Sequence, residues 1–336
     1  MHRTCRILHV NSSHAPYSEL SPETVLDAIE AVGHRCDGRV LALNSYENRV
    51  YQIGIEDGEP VVAKFYRPAR WTDGAIREEH VFAGELAAQE IPVVAPLLRD
   101  GESLHVHRGF RYAIFPRRGG RWPELGVSDD REWVGRFLGR IHAVGRAGRF
   151  HERTRLSMED LGRRSRDFVL DGEWMPDYLA TKYADLTDVL LDEVEARAEA
   201  WGGAALGRIL GDCHRGNILW TEQGPHFVDL DDCLTGPAIQ DLWMLLAGGQ
   251  QEMRTELHDL LKGYEQFLPF DRSEIVLIEP LRALRMIHYS AWLARRWHDP
   301  AFPKAFPWFA EPRYWEQHYR ALEDQLAAVI GPPLEL

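Results

Sequence analysis

A chain of 336 residues, 45% hydrophobic and 27% charged, can bury a sizeable core, and its length suggests about two domains or lobes. Its formal net charge of −13 argues against an extended nucleic-acid-binding surface. It does not exclude a phosphate-bearing ligand, whose charge a metal ion and a few placed cations offset locally.

The cysteines Cys5, Cys36, Cys213 and Cys233 form no C-x-x-C pair and no disulfide framework, which suits reduced thiols in a cytosolic protein. Cys213-His214 with Cys233 lacks the tight paired spacing of a zinc site. The opening MHRTCRILHV has no apolar run and no small-residue cleavage site, so no signal peptide is read there. No apolar stretch approaches the length of a membrane span. The expectation is a cytoplasmic monomer with neither membrane nor nucleic acid as partner.

Residues 1–20 are polar and poor in periodic pattern, and are read as a weakly ordered N-terminal segment. Ser21-Pro22-Glu23 then opens a short helix, with Ser21 as N-cap and Pro22 in the first turn. From residue 39 the pattern turns to strands. Val40-Leu41 leads into the polar turn Asn44-Ser45-Tyr46-Glu47-Asn48, Val50 to Ile53 follows, and Asp57-Gly58 is a hairpin signal before Val61 to Tyr66. Residues 72–90 read as a helix capped by Thr72 or Asp73, with Ile76, Phe82 and Leu86 facing inward. A second hairpin folds at Arg108-Gly109, between Leu104–His107 and Tyr112–Phe115. Phe115-Pro116 and Gly119-Gly120 then loosen the chain.

Beyond that point the pattern is mostly helical. Val134, Phe137, Leu138 and Ile141 mark one amphipathic helix and residues 177–200 another. Long helical patterns run over roughly 238–248, 253–268, 274–298 and 312–330. The expected organisation is an α+β, two-lobed chain: the segment 1–20, a β-rich N-terminal lobe over 21–116 and a mostly helical C-terminal lobe over 117–336.

Residues 211–232, GDCHRGNILWTEQGPHFVDLDD, carry the chemistry. They place Asp212, then Asn217 five positions on, then Asp229 after a short hairpin. Protein kinases space a catalytic Asp, a metal-binding Asn and a second metal-binding Asp in this way. Asp212 suits a carboxylate that takes or orients the proton of an attacking hydroxyl. Asn217 offers a hard cation a neutral oxygen, and Asp229 a charged one. Asp231 and Asp232 compete for the metal role. Asp229 is preferred because it directly ends the apolar run Phe227-Val228.

Lys64 lies within the apolar strand Val61–Phe65, where an ammonium must snorkel or find an anion. A kinase strand lysine contacts the α- and β-phosphates and pairs with a helix glutamate. Glu79, or the adjacent Glu78, is that partner here. Glu79 is favoured because Phe82 and Leu86 follow at i+3 and i+7 on the inward face. The turn at 44–48 occupies the place of a nucleotide-covering loop without being glycine-rich. The local sequence suits equally a Ser45 hydroxyl and neighbouring amides that contact phosphate and a plain polar β-turn with no such role. Asp241 is read as supporting the loop at 211–217 rather than touching substrate. Arg282, Arg285, Tyr289, Trp292 and Arg296 fall at helical spacing. A partly buried, salt-bridged helix is preferred for them over one lining a substrate cleft.

The chain resembles the stress response kinase A family, bacterial Ser/Thr protein kinases of the aminoglycoside phosphotransferase and choline kinase-like group. The resemblance covers residues 20–335 and is specific at LNSYENRVYQ (43–52), VAKFYRP (62–68), GDCHRGNILW (211–220), FVDLDD (227–232), QDLWMLL (240–246) and DPAFPKAFPW (299–308). It implies a bilobal kinase-like fold, ATP and magnesium (Mg2+) as cofactors, and protein Ser/Thr hydroxyls as acceptors, with autophosphorylation. It implies Asp212 as proton acceptor, Asn217 and Asp229 as metal ligands, and Ser45 and Lys64 near the ATP phosphates. It links the chain to envelope and oxidative stress. The chain departs from the pattern at Leu210, where this group usually carries histidine, and altered packing rather than lost activity is expected. Two other functions fit the same residues: a small-molecule kinase acting on an aminoglycoside, choline-like or amino-alcohol hydroxyl, and a nucleotide-binding pseudokinase scaffold. The second requires a missing catalytic group, whereas Asp212, Asn217 and Asp229 are all present.

Overall fold

The computed structural model describes residues 16–203 and 206–336. The expected weakly ordered segment at 1–20 lies outside the described residues up to residue 15. Helix α1 (Pro22–Ala31) starts where the Ser21 hydroxyl accepts the Thr24 N–H, with proline in the first turn. Strands β1 (Cys36–Ala42), β2 (Arg49–Ile55) and β3 (Val61–Phe65) form the expected meander, and helix α2 (Asp73–Ala88) follows, capped by Thr72. Strands β4 (His105–His107) and β5 (Phe110–Pro116) complete an antiparallel sheet of order β1-β2-β3-β5-β4.

Side-chain alternation along β3 sorts the layers. Ala63 and Phe65 point into a core with Val25, Ala28 and Ile29 of α1. Lys64 therefore faces the other side, toward α2. After Pro116 the chain leaves the sheet, and Arg121 exchanges backbone hydrogen bonds with Trp220 on the far side of the crossing.

The remainder is built on α3 (Ser128–Ala147), α4 (Met158–Leu161), α5 (Arg163–Leu170), α6 (Asp177–Trp201), β6 (Gly207–Ile209), β7 (Ile218–Thr221), β8 (Gly224–Phe227), β9 (Leu234–Gly236), α7 (Ile239–Trp243), α8 (Gln250–Tyr264), α9 (Ile278–Arg296), α10 (Ala301–Ala305) and α11 (Pro312–Ile330). Strand β6 pairs with β9, and β7 with β8. This is the mixed α and β architecture expected from the sequence.

Two helical boundaries differ from the sequence reading. The pattern at 238–248 forms an α-helix only over Ile239–Trp243, and Gly248 then turns the chain at φ +80° before α8. The pattern at 274–298 begins as a 3-10 turn over Arg272–Leu277, capped by Asp271, and becomes α-helical only from Ile278. Pieces as short as α4, β6, β9 and α10 carry too few residues for a periodic signal.

Helices α3 and α8 approach at glycine distance. A Cβ on Gly135 would fall 1.9 Å from the Leu260 carbonyl oxygen, and one on Gly139 2.4 Å from that of Tyr264. Alanine at either position forces the helices apart. Gly139→Ala is expected to cost about 2 kcal/mol, whereas Gly84→Ala in α2, with nothing within 4 Å of its added Cβ, is expected to stabilise by about 0.5 kcal/mol. Opposite shifts in the denaturation midpoints would show this.

Candidate active site

Strand β3 delivers Lys64 into a cluster of carboxylates. Its Nζ lies 3.0 Å from Glu79 Oε1, 3.1 Å from Asp229 Oδ1 and 3.0 Å from Asp231 Oδ1. Burial disfavours the ammonium, but Asp229, Asp231 and Glu79 together outweigh it and hold Lys64 well above its ordinary pKa. Glu79, on the inward face of α2, gives its second oxygen to Arg153 at 2.8 Å. Glu78 turns elsewhere and accepts the backbone N–H groups of His151, Glu152 and Arg153.

Asp229 follows β8 in the left-handed region at φ 56°, and its carboxylate is half-exposed. That conformation costs a non-glycine residue about 1 kcal/mol and is held because the turn aims the carboxylate at Lys64. Asp231 is buried, shared between Lys64 and Arg70. Burial opposes its charge, yet Arg70, Lys64 and Arg153 hold its carboxyl below the usual range. Asp232 meets the other arm of Arg70. Asp231 is thus enclosed by protein cations, whereas Asp229 and Asp232 both keep an open side, and of these two Asp229 is the one that meets Lys64.

The loop between β6 and β7 carries Asp212 and Asn217. Its backbone hangs from Asp241, whose oxygens accept the N–H groups of Leu210 at 2.7 Å and Gly211 at 2.8 Å. His142 Nε2 lies 2.9 Å from the same carboxylate, and Gln240 Nε2 donates to Gly211 O. Gly211 sits at φ +81°, and a Cβ there would fall 2.3 Å from Asp232 O. The Leu210 side chain packs in the core beside Cys213 and Leu230. Its backbone N–H is the part of Leu210 that Asp241 holds.

Asn217 Nδ2 donates to Asp212 O at 2.9 Å, and its amide oxygen accepts from no described residue. The Asp212 carboxylate is engaged at both oxygens, by Arg285 Nη1 at 2.6 Å and His214 Nε2 at 3.4 Å. His214 Nδ1 accepts from Gly216 N–H, which places the ring proton on Nε2, toward Asp212. Burial raises the Asp212 pKa, but His214 and Arg285 together pull it well below the ordinary carboxylate value.

Of the sequence-predicted residues, Lys64, Glu79 and Asp229 meet in one cluster, and Asp212 and Asn217 share the neighbouring loop. Ser45 is not joined to either group. Its hydroxyl donates to Asn48 O within its own turn. From that turn Glu47 reaches furthest, accepting from Trp292 Nε1 at 2.7 Å and Arg296 Nη2 at 2.9 Å and lying 3.1 Å from Arg67 Nε.

Helix α9 is the partly buried, salt-bridged helix preferred from the sequence. Arg282 fits that preference, paired with Glu279. Arg285 and Arg296 pair with residues far along the chain, Asp212 and Glu47, and Trp292 Nε1 donates to Glu47. His288 on the same helix is pushed down to about 4 by burial and by Arg295, Arg296, Arg285 and Arg70. Arg70 and Arg153 were missed altogether, because isolated arginines in loops carry no spacing signal.

The phosphotransferase enzyme family model matches residues 39–276. The chain is 46% identical over 328 residues to stress response kinase A of Salmonella typhi, covering 97% of this chain and 99% of the relative. It is equally similar, with the same coverage, to the serine/threonine protein kinase RdoA of Salmonella typhimurium strain LT2. Among solved structures it is similar to the amicoumacin kinase hAmiN in complex with AMP-PNP, Ca2+ and Ami, with TM-score 0.70 and 19% identity over 90% of this chain and 93% of that one.

Removing the ammonium at the centre of the cluster leaves Glu79, Asp229 and Asp231 facing one another. Lys64→Met is expected to destabilise the fold by roughly 3 kcal/mol near neutral pH. The loss shrinks as the pH falls through the carboxylate range, because protonation relieves the repulsion. Urea unfolding at pH values on both sides of that range measures it.

Proposed function

The chain belongs to the stress response kinase A family, within the phosphotransferase enzyme family, and on that premise we propose that it transfers the γ-phosphoryl group of ATP to Ser/Thr hydroxyls of proteins, itself included. The observation that carries the reading is the meeting of Lys64, Glu79 and Asp229 beside the loop that bears Asp212 and Asn217. The names of the relatives, stress response kinase A and serine/threonine protein kinase RdoA, favour a protein acceptor and a role in the stress response.

The residues fit the nucleotide and metal. Lys64, held in position by Glu79, is an ammonium for the α- and β-phosphates. Asp229 has an open oxygen and Asn217 a free amide oxygen, both hard donors suited to Mg2+, which when bound neutralises charge on the phosphates. Ser45 is assigned to phosphate only through a shift of its turn. Asp212 accepts the proton of the acceptor hydroxyl as the hydroxyl oxygen bonds to the γ-phosphorus and the bond to the β,γ-bridging oxygen breaks.

A small-molecule acceptor is the second reading, favoured by the solved neighbours, which include an aminopropanol kinase and choline kinases. All of these acceptors are hydroxyls, so the fold alone does not separate them. Labelled ATP offered with generic protein acceptors and, in parallel, with a panel of hydroxylated metabolites does. Transfer to protein is expected, and transfer confined to a metabolite would overturn the proposal. Asp212→Ala is expected to lower the transfer rate by about a hundredfold or more while ATP-analogue affinity persists. Unchanged phosphorylation would remove Asp212 from the mechanism.

A further inference from the structure

In a chain of net charge −13, residues 278–298 contain four arginines and a single acid, Glu279, which pairs with Arg282. They span α9, the helix whose Arg285 reaches the Asp212 carboxylate. One turn on, half-exposed Tyr289 stacks against Trp292 with ring centroids 5.7 Å apart. Arg296 follows one turn later, already paired with Glu47. Arg295 donates to Arg164 O and lies over the Phe168 ring, with no carboxylate within ion-pair distance among the described residues. Arg285 and Arg295, with the Tyr289–Trp292 stack between them, thus form a cationic and aromatic strip beside Asp212. Such a surface attracts acidic groups and repels cationic ones.

Arg285 is the member of this set poised to move. Its side chain is 44% exposed, and its one carboxylate partner among the described residues is Asp212. That pairing, with His214 on the other oxygen, covers the carboxylate that an acceptor hydroxyl must reach. A carboxylate arriving with the acceptor offers the guanidinium an equivalent partner in a bidentate geometry. The exchange uncovers Asp212 Oδ1.

We propose that Arg285 selects protein segments in which the Ser or Thr is flanked by acidic side chains, by leaving Asp212 for that acid when the segment binds. This rests on the phosphoryl-transfer reading above and narrows its acceptor. Arg285 is a specificity and positioning residue, and Asp212 keeps the chemistry. An acceptor with a basic flank meets like charge at Arg285 and Arg295 and leaves Asp212 covered.

The test uses the full-length protein with three serine peptides identical except for flanking glutamates, glutamines or lysines. Wild type is expected to use the glutamate peptide with kcat/KM about tenfold above the glutamine peptide, and the lysine peptide least. Arg285→Ala is expected to lose this discrimination, and Arg285→Lys to keep part of it. Arg282→Ala, one turn earlier and paired with Glu279, is expected to retain it. Unaltered ATP-analogue affinity in Arg285→Ala shows that the fold and nucleotide site survive. Equal use of the three peptides by wild type, or discrimination that persists in Arg285→Ala, overturns the inference and leaves the kinase reading standing. Transfer to free serine or glycerate with none to any peptide overturns the inference together with the protein-acceptor reading.

Discussion

The site depends on one buried ammonium. Lys64 has three carboxylates within about 3 Å, from α2 and from the turn after β8. Glu79 and Asp231 could not be buried so close to each other, with half-exposed Asp229 beside them, without it. The cation thereby ties the sheet, its flanking helix and the metal-facing turn into one arrangement. Arg70 and Arg153 extend that arrangement outward and neutralise Asp231 and Glu79 from behind. Of the three acids around Lys64, the one left with an open side is Asp229, the carboxylate best placed to meet a cation from solvent.

The loop bearing Asp212 is fixed by a different device. It contains a left-handed glycine, and two of its backbone N–H groups point inward at Leu210 and Gly211. Asp241 answers both, and His142 with Tyr264 behind it completes the polar chain. The loop is therefore held through main-chain atoms. A leucine at position 210 is compatible with that scheme because its side chain has only to fill apolar space.

Much of this was legible in the residues. The alternation around Lys64, the i+3 and i+7 apolar partners of Glu79, and the Asp212–Asn217–Asp229 spacing are local patterns, and local patterns survive into the fold. The contacts that were not legible join residues far apart in sequence. Glu47 with Arg296, Arg285 with Asp212 and Arg153 with Glu79 depend on which helix faces which, and a single helical pattern such as 280–298 is equally consistent with facing solvent or a cleft. Ser45 illustrates the converse. Its position in the turn was read correctly, while the direction of its hydroxyl depends on the Asn48 carbonyl beside it.

The turn that carries Ser45 is anchored to the helical part of the molecule. Glu47 binds Trp292 and Arg296, Asp299 binds Arg49 and Arg67, and Tyr46 packs on Phe302 and Phe306. The sheet and the helices are thus joined by this latch as well as by the peptide chain after Pro116 and by the ion pairs of Lys64, Arg70 and Arg153 with Asp229, Asp231 and Glu79. A hinge fastened at several points cannot swing freely. Separating the two parts must break charged contacts that are largely buried, Arg67 with Glu47 and Asp299 among them, and dissolved salt screens such pairs little.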